Sequence, residues 1–498
     1  MRANIERHVC TWEKEGSGES SVGELIISGN QIEFYVKDAG NPFLAAYVGR
    51  DIEHQYKVIT NGVEQIGGNR TLDFATSYNV RYVLVQNFPF APGCETAGIT
   101  GFSFMIPELM DWFHGIKTVE ILPMSEVGEF RAGEISLPEI VLHDNSPRIA
   151  IAFESFSINE TMRADSRTEI IIKNQPRLYV NYDTAVTTER VRRDVRCLMQ
   201  FWGLMIGTVS DALDIRLDIE GTEYHSWLFM NGDFSYNASQ RRVFNRPRTT
   251  LETVNEKVTN YFTNWYNFYY DVKFDLIRNM YFSANDRKRI FAEDIFVLYV
   301  KILEGYHLRI SGDEEQANAL KAAIKASRKN IKRLIFTDDG IPLFSEAIEK
   351  SIPDWDYNSS HADEIAGWIA TGYLGRTGLA ERLKQLDEAF FRVIAMNASV
   401  ITDRSGRVTD PETEVRYYKM IVATRNYYSH FKNDKTDVFS FSQLNDSIFV
   451  LKALIVIILF SNMKVSNEDI RKIMCWDQEL GHRTMYLRKE GEKPPVNC

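Results

Sequence analysis

The segment Ile421-Val-Ala-Thr-Arg-Asn-Tyr-Tyr-Ser-His430-Phe-Lys-Asn433 lies late in the 498-residue sequence, and its pattern predicts a helix. Because a helix turns by about 100° per residue, Asn426 and His430 lie one turn apart on one face. Arg425 lies about 140° from His430, so its long side chain must reach around the helix to join them. The segment therefore predicts that a guanidinium, a carboxamide and an imidazole converge.

These three groups suit the cleavage of RNA. An imidazole can accept or donate a proton near neutral pH, and a guanidinium binds phosphate oxygens through two parallel hydrogen bonds. His430 would deprotonate a ribose 2′-hydroxyl or protonate the 5′-oxygen, while Arg425 holds the phosphate as negative charge builds on it. This chemistry requires no metal and no cofactor. The alternative is a polar patch on a tyrosine-rich helix with no catalytic role.

The same residues carry a family resemblance. Arg425-Asn-Tyr-Tyr-Ser-His430 resembles the signature of the HEPN superfamily, in which an Arg, a polar residue, three further residues and a His lie on a late helix of an α-helical bundle. The flanking residues 417–424 and 431–433, and the segment Leu298-Tyr-Val-Lys-Ile-Leu-Glu-Gly-Tyr-His307, are similar to the HEPN domain of ApeA-like bacterial anti-phage proteins. The likeness covers roughly the last two-fifths of the chain.

The resemblance implies a metal-independent endoribonuclease that acts as a homodimer through its HEPN domain. Arg425, Asn426 and His430 would then be the catalytic residues, with the Arg and His of both protomers facing one composite site. It also implies abortive infection, in which host RNA is cleaved to 2′,3′-cyclic phosphate ends in response to a phage-derived trigger. Transfer RNA, and its anticodon loop above all, is the expected substrate. The alternative is a non-catalytic HEPN scaffold that binds a nucleotide or a protein, with a ligand-recognising β module.

Further residues are expected to support the site. Glu304 is the expected carboxylate partner of Arg425, because a half-buried guanidinium requires one. Tyr427 and Tyr428 cannot both face a groove, so one is expected in the core while Tyr428 is a candidate to stack on a base. Further cations are candidate phosphate contacts, and a solvated surface is the alternative role for the last three of them: Lys432, Lys325, Lys329 and Lys332.

Charge is distributed unevenly along the chain. The sequence has 58 basic and 68 acidic residues, a net charge of −10. Residues 284–498 contain 31 of each sign, so residues 1–283 contain 27 basic and 37 acidic residues and carry the whole net charge. Because an acidic region binds RNA poorly, we expect this part to sense or regulate.

The composition also bears on the compartment. Five widely separated cysteines show no paired spacing, which favours a reducing cytoplasm over a disulfide framework. The first residues contain no apolar signal segment. The longest apolar run, 448–460, is expected to be too short to span a bilayer and to form a buried core helix, so no membrane association is expected.

The length of the chain indicates several domains, and the expected fold class is α+β. Residues 1–183 are expected to form an antiparallel β-rich sandwich or barrel-like domain, with a hairpin that turns at Gly29-Asn30. Its many aromatic residues are expected to be core, with carbohydrate binding as the alternative. Residues 184–284 are expected to form a mixed α/β connecting region with one long aromatic helix over about 250–281. Residues 285–498 are expected to form the all-α HEPN bundle, with helices over about 292–309, 379–400, 412–431 and 445–462.

Overall fold

The computed structural model describes most of the chain, with gaps between the described segments. The described residues are 5–28, 31–37, 45–51, 54–66, 76–87, 98–113, 119–123, 130–134, 139–162, 167–209, 211–221, 226–230, 246–286, 291–311, 322, 378–402, 410–430 and 436–488. The strands precede residue 231 and the larger part of the helices follows residue 250. The predicted order of a β-rich part followed by a helical part is confirmed.

The strands of the described segments form one large sheet and one separate hairpin. Their bounds are β1 Ile5–Lys14, β2 Ser20–Ser28, β3 Gln31–Val36, β4 Ala45–Arg50, β5 His54–Ile66, β6 Thr76–Asn87, β7 Ile99–Met105, β8 Val119–Pro123, β9 Phe130–Glu134, β10 Ile140–Asp144, β11 Arg148–Met162, β12 Arg167–Val186, β13 Leu213–Ile219 and β14 Ser226–Met230. The sheet has twelve strands in the order β10-β11-β12-β7-β13-β14-β6-β3-β2-β1-β4-β5, while β8 pairs with β9. The predicted hairpin is confirmed, since β2 and β3 pair antiparallel with Ser28 opposite Gln31.

Strand β6 closes the first six strands into a barrel. One edge of β6 pairs with β5, and the other edge pairs with β3 around Tyr78 and with β14 around Leu84. The barrel core is aromatic, as expected for this part of the chain. Trp12 fills much of it, and there is room for the indole because a Cβ on Gly49 of the neighbouring strand would lie only 2.5 Å from the ring. The same close approach occurs at Gly23, where the distance would be 2.6 Å.

Helices cover the open part of the sheet and continue its core. Their bounds are α1 Leu109–Trp112, α2 Thr188–Ile206, α3 Leu251–Val254, α4 Lys257–Tyr270, a 3₁₀ turn Val272–Phe274 and α5 Asp275–Asp286. The prediction of one long helix over 250–281 is therefore wrong. The chain breaks at Asn255, whose φ is 43°, and again at Asp271, whose carboxylate accepts a hydrogen bond from the Lys273 backbone N–H. Side chains such as Trp202 and Trp265 are fully buried between these helices and the sheet.

The helical part contains α6 Ala292–Ile310, α7 Leu379–Ala389, α8 Val393–Thr402, α9 Pro411–His430, α10 Phe441–Asn462, α11 Asn467–Trp476, α12 Gly481–Thr484 and a 3₁₀ turn Met485–Leu487. The predicted helix over 379–400 is two helices instead. Phe391 and Arg392 have φ values of 65° and 57°, a left-handed backbone that ends α7 and re-aims the chain into α8.

Helix α10 lies at the centre of this bundle. Ser440 and Gln443 form a reciprocal capping box at its start. The predicted apolar run extends into a 22-residue helix, so the expectation that it is too short to span a bilayer is wrong. The helix is long and apolar enough to cross a membrane, but 72% of its most apolar 18-residue stretch is buried inside the protein. This burial matches the predicted core helix.

The sheet crosses the boundary that we expected at residues 183 and 184. Strand β12 runs from Arg167 to Val186, and β13 and β14 come from the expected connecting region. One hydrophobic core joins the open sheet to the helices, whereas the barrel has a core of its own. A division into 1–183, 184–284 and 285–498 therefore remains a proposal about the chain.

Candidate active site

The three signature residues lie in the last turns of α9. Arg425 Nη1 donates a hydrogen bond to Asn426 Oδ1 at 3.0 Å, so the guanidinium and the carboxamide meet as the sequence predicts. The opposite face of the helix is fixed in the bundle. Tyr417 donates to Ser447 Oγ of α10 at 3.0 Å, and the buried Thr424 Oγ1 accepts from the backbone N–H of Phe439 at 2.9 Å.

The site faces solvent. On a helix, positions 415, 419, 422, 426 and 430 fall within an arc of about 80°. Val415, Lys419 and His430 are exposed, and Asn426 is half-buried. The Arg425 side chain is 20% exposed. These groups therefore lie at the surface of the bundle, where a polynucleotide can reach them.

A carboxylate from α6 holds the guanidinium. Glu304 Oε2 lies 3.6 Å from Arg425 Nη2, which is the predicted pair. The other oxygen, Oε1, lies 3.4 Å from Arg382 Nη1 of α7. Glu304 thus bridges two arginines, and Arg382 is a member of the site that sequence reasoning missed. Its contact spans 78 residues of sequence, so no local pattern indicates it.

Both arginines retain a buried N–H group. Within the described part of the chain, Nε of Arg425 and Nε of Arg382 are buried and have no hydrogen-bond partner. His307, also on α6, is 6% exposed and its Nε2 lies 2.8 Å from Gln385 Oε1, which indicates a structural role. The cluster therefore combines one shared carboxylate with two guanidinium groups, an excess of positive charge suited to a phosphate.

The two tyrosines behave differently from the prediction. Both Tyr427 and Tyr428 are half-buried, and their rings meet edge to face with centroids 5.0 Å apart. Tyr428 packs against the main core without being enclosed by it. Burial, followed by the nearby charge of Glu293, raises the pKa of Tyr428. The expectation that one of the pair is a core residue is thus only partly met.

Four predicted contacts cannot be placed. Lys432 and the basic residues Lys325, Lys329 and Lys332 lie outside the described residues.

A buried carboxylate orients α9 against α8. Asp387 accepts hydrogen bonds from the backbone N–H groups of Ile394 and Ala395 at 2.7 and 2.8 Å, which caps the start of α8. It also accepts from the hydroxyl of Tyr418 on α9 at 2.6 Å. Burial raises the pKa of the Asp387 carboxyl from its ordinary 3.8 to about 6.

The raised pKa of Asp387 predicts that the free energy of unfolding depends on pH. Because the folded state binds the proton of Asp387 more tightly than the unfolded state does, the group stabilises the fold fully below about pH 4 and loses that effect as pH rises through about 6. Relative to the Asp387→Asn variant, the wild-type protein should lose about 2 kcal/mol of unfolding free energy between pH 4 and 6. Urea unfolding at several pH values measures this difference, and parallel curves would contradict it.

Comparison with known protein families agrees with the fold. The family model of the ApeA N-terminal domain 1 matches residues 8–265, and that of the Apea-like HEPN domain matches residues 297–469. The chain belongs to the ApeA-like HEPN family. The first match spans the barrel, the open sheet and most of α4. The second ApeA-like match contains Glu304, Arg382, Arg425, Asn426 and His430.

Family membership fits anti-phage defence and a HEPN nuclease class. No curated protein matches this ApeA-like chain, and no solved structure matches it either. The roles of its individual residues therefore rest on their geometry and chemistry.

Proposed function

We propose that this ApeA-like protein is a metal-independent endoribonuclease of anti-phage defence that cleaves host RNA and causes abortive infection. The observation that carries the proposal is the surface cluster of Arg425, Asn426 and Glu304, one turn before the exposed imidazole of His430. It supplies a phosphate-binding cation on the same helix as an imidazole, the side chain most often used for proton transfer in catalysis.

The reaction is an internal transfer at phosphorus. The ribose 2′-oxygen loses its proton to a base and forms a bond to phosphorus, and the bond from phosphorus to the 5′-oxygen breaks. The leaving 5′-oxygen takes a proton from an acid, so the products are a 2′,3′-cyclic phosphate and a 5′-hydroxyl. Arg425 stabilises the negative charge on the non-bridging oxygens, and Glu304 and Asn426 hold its guanidinium in place.

The proposal includes a homodimer through the HEPN domain, as the family resemblance implies. The reaction uses one base and one acid, and each protomer supplies a single imidazole from its signature. A second copy across a two-fold axis would supply the other imidazole.

Transfer RNA is the proposed substrate, with the anticodon loop as the first site to examine. Single-stranded loops present unstacked bases, and Tyr428 remains the candidate aromatic contact, although it lies about 160° around α9 from His430. Lys432, Lys325, Lys329 and Lys332 remain candidate contacts to the RNA backbone. The β-rich part would receive the phage-derived trigger, and the cytoplasm is the proposed compartment.

The products test the proposal. Purified protein incubated with tRNA in the presence of a metal chelator should yield fragments that end in 2′,3′-cyclic phosphate, identified by mass spectrometry. Arg425→Ala should abolish the fragments while the protein stays folded. Intact tRNA after prolonged incubation with a homodimeric wild-type protein would favour the alternative, a non-catalytic HEPN scaffold that binds a nucleotide or a protein.

A further inference from the structure

A cavity opens at one end of the N-terminal barrel, far in sequence from the HEPN signature. Its volume is about 860 Å³. Strands β1 and β5 supply Glu6, His8 and Tyr56 from inside the barrel mouth. Strand β14 closes the opposite side with the half-buried rings of Trp227 and Phe229. Mouths of β-barrels are common places for ligand sites because side chains from several strands converge there.

The hydrogen bonds of Tyr56 in the cavity indicate which nitrogen of His8 carries a proton. Tyr56 donates its hydroxyl proton to Asp51 Oδ2 at 2.6 Å. Burial, followed by this hydrogen bond, raises the pKa of Tyr56, so its hydroxyl stays protonated. The hydroxyl oxygen of Tyr56 also lies 2.8 Å from His8 Nδ1. Because the proton of Tyr56 is already engaged, Nδ1 of His8 must be the donor in this contact.

This assignment leaves an unmet acceptor. In the neutral form of His8, a proton on Nδ1 leaves Nε2 with a lone pair. Nε2 is buried and makes no hydrogen bond within the described part of the chain. The carboxylate oxygen Oε2 of Glu6 lies 3.8 Å from it and is also an acceptor. In that form Nε2 and Oε2 are two acceptors 3.8 Å apart, and one donor with several N–H groups can bind both from the cavity.

The charge of the residues that line the cavity favours a cationic donor. The described residues that line the cavity include three carboxylates and no Lys or Arg. One of the three, Asp214, is neutralised by Arg177 and Arg216. Residues 1–283 carry the whole net charge of −10, so the surrounding field also attracts cations. The faces of Trp227 and Phe229 can add cation–π attraction.

We propose that this barrel mouth binds a guanidinium or ammonium group, carried by a basic peptide segment or by a free polyamine. The group would donate to His8 Nε2 and Glu6 and lie against the ring of Trp227. An organic cation fits better than a metal ion, since the described residues bring no three ligating side chains to one point. The inference does not depend on the nuclease proposal, because binding is measured without RNA.

Calorimetric titration of the full-length protein tests the site. The probes are the capped peptide Gly-Arg-Gly, its lysine counterpart, spermidine, and a citrulline peptide with the shape of the arginine one and no charge. The arginine or lysine peptide, or spermidine, should bind, and citrulline should bind at least about 10-fold more weakly because charged hydrogen bonds are the stronger ones. Preference for the peptides or for spermidine identifies the natural carrier of the cation.

Matched variants locate the binding. Glu6→Gln should weaken the preferred cation about 10-fold, and since the Glu6 side chain is 56% exposed the fold should tolerate it. Glu13→Gln is the control, because Glu13 is exposed on the same strand and does not line the cavity. Trp227→Leu should also weaken binding. Absence of binding by every cation, or equal losses in the Glu6 and Glu13 variants, would overturn the proposal.

Discussion

Replacement of His430 by alanine should lower the rate of RNA cleavage by about 10²–10⁴-fold, because general acid–base catalysis by a positioned side chain contributes that much. His430 is the last residue of α9 and its side chain is exposed. Its loss should therefore change the free energy of unfolding by less than about 0.5 kcal/mol. Single-turnover cleavage of tRNA measures the rate, and urea unfolding shows that the fold is unchanged.

A control on the same helix separates catalysis from general surface charge. Arg416 is exposed and lies fourteen residues before His430, which is about 21 Å along a helix. The Arg416→Ala variant should cleave tRNA at a rate within about twofold of the wild-type rate, because surface substitutions away from a site usually change a protein little. Equal cleavage rates for the His430→Ala and wild-type proteins would remove His430 from the mechanism and with it the proposed HEPN active site.

Features that depend on neighbouring residues were predictable from the sequence. The hairpin between β2 and β3 follows from alternation around Gly29-Asn30, and α9 follows from the period of its apolar residues. The pair between Glu304 and Arg425 was also foreseen, because a guanidinium on a packed helix requires a carboxylate nearby. Local pattern and elementary electrostatics are sufficient in these cases.

Helix breaks were not predictable in the same way. Asn255, Phe391 and Arg392 adopt positive φ values although none of them is glycine. At Phe391 and Arg392 the left-handed backbone is held by one local hydrogen bond, from the Arg392 N–H to the carbonyl of Asp387, and by one remote hydrogen bond, from the Tyr486 hydroxyl to the carbonyl of Phe391. The remote partner leaves no signal in the local sequence, so such positions look helical.

Pairing between residues that are distant in sequence accounts for the other features that the sequence did not predict. Strand β6 pairs with β14 across some 140 residues, and this junction links the barrel to the open sheet. Arg382 joins Glu304 only because α7 packs beside α6. The cavity at the barrel mouth exists for the same reason, since Trp227 comes from β14 and His8 from β1. The spacing of apolar residues within one segment does not indicate which distant segment it will contact.

Arg248→Met should cost about 3–5 kcal/mol of unfolding free energy, because it leaves a buried carboxylate without its counter-charge. Arg248 is 2% exposed and pairs with Asp477, which is 3% exposed. It also lies 3.8 Å from Glu479, whose other partner is the buried Lys452 of α10. These two cations and two carboxylates join the segment before α3 to the helical part, so the loss should affect the whole protein.

A second link between the same parts provides the matched control. Lys257 Nζ of α4 lies 2.8 Å from Asp469 Oδ2 of α11, but the Lys257 side chain is 56% exposed. Water screens this pair, so Lys257→Met should cost less than about 1 kcal/mol. Urea unfolding followed by circular dichroism measures both variants. A similar loss in the two would show that burial of Arg248 does not determine its effect, whereas a large difference would assign the coupling of the β-rich and helical parts to the buried network.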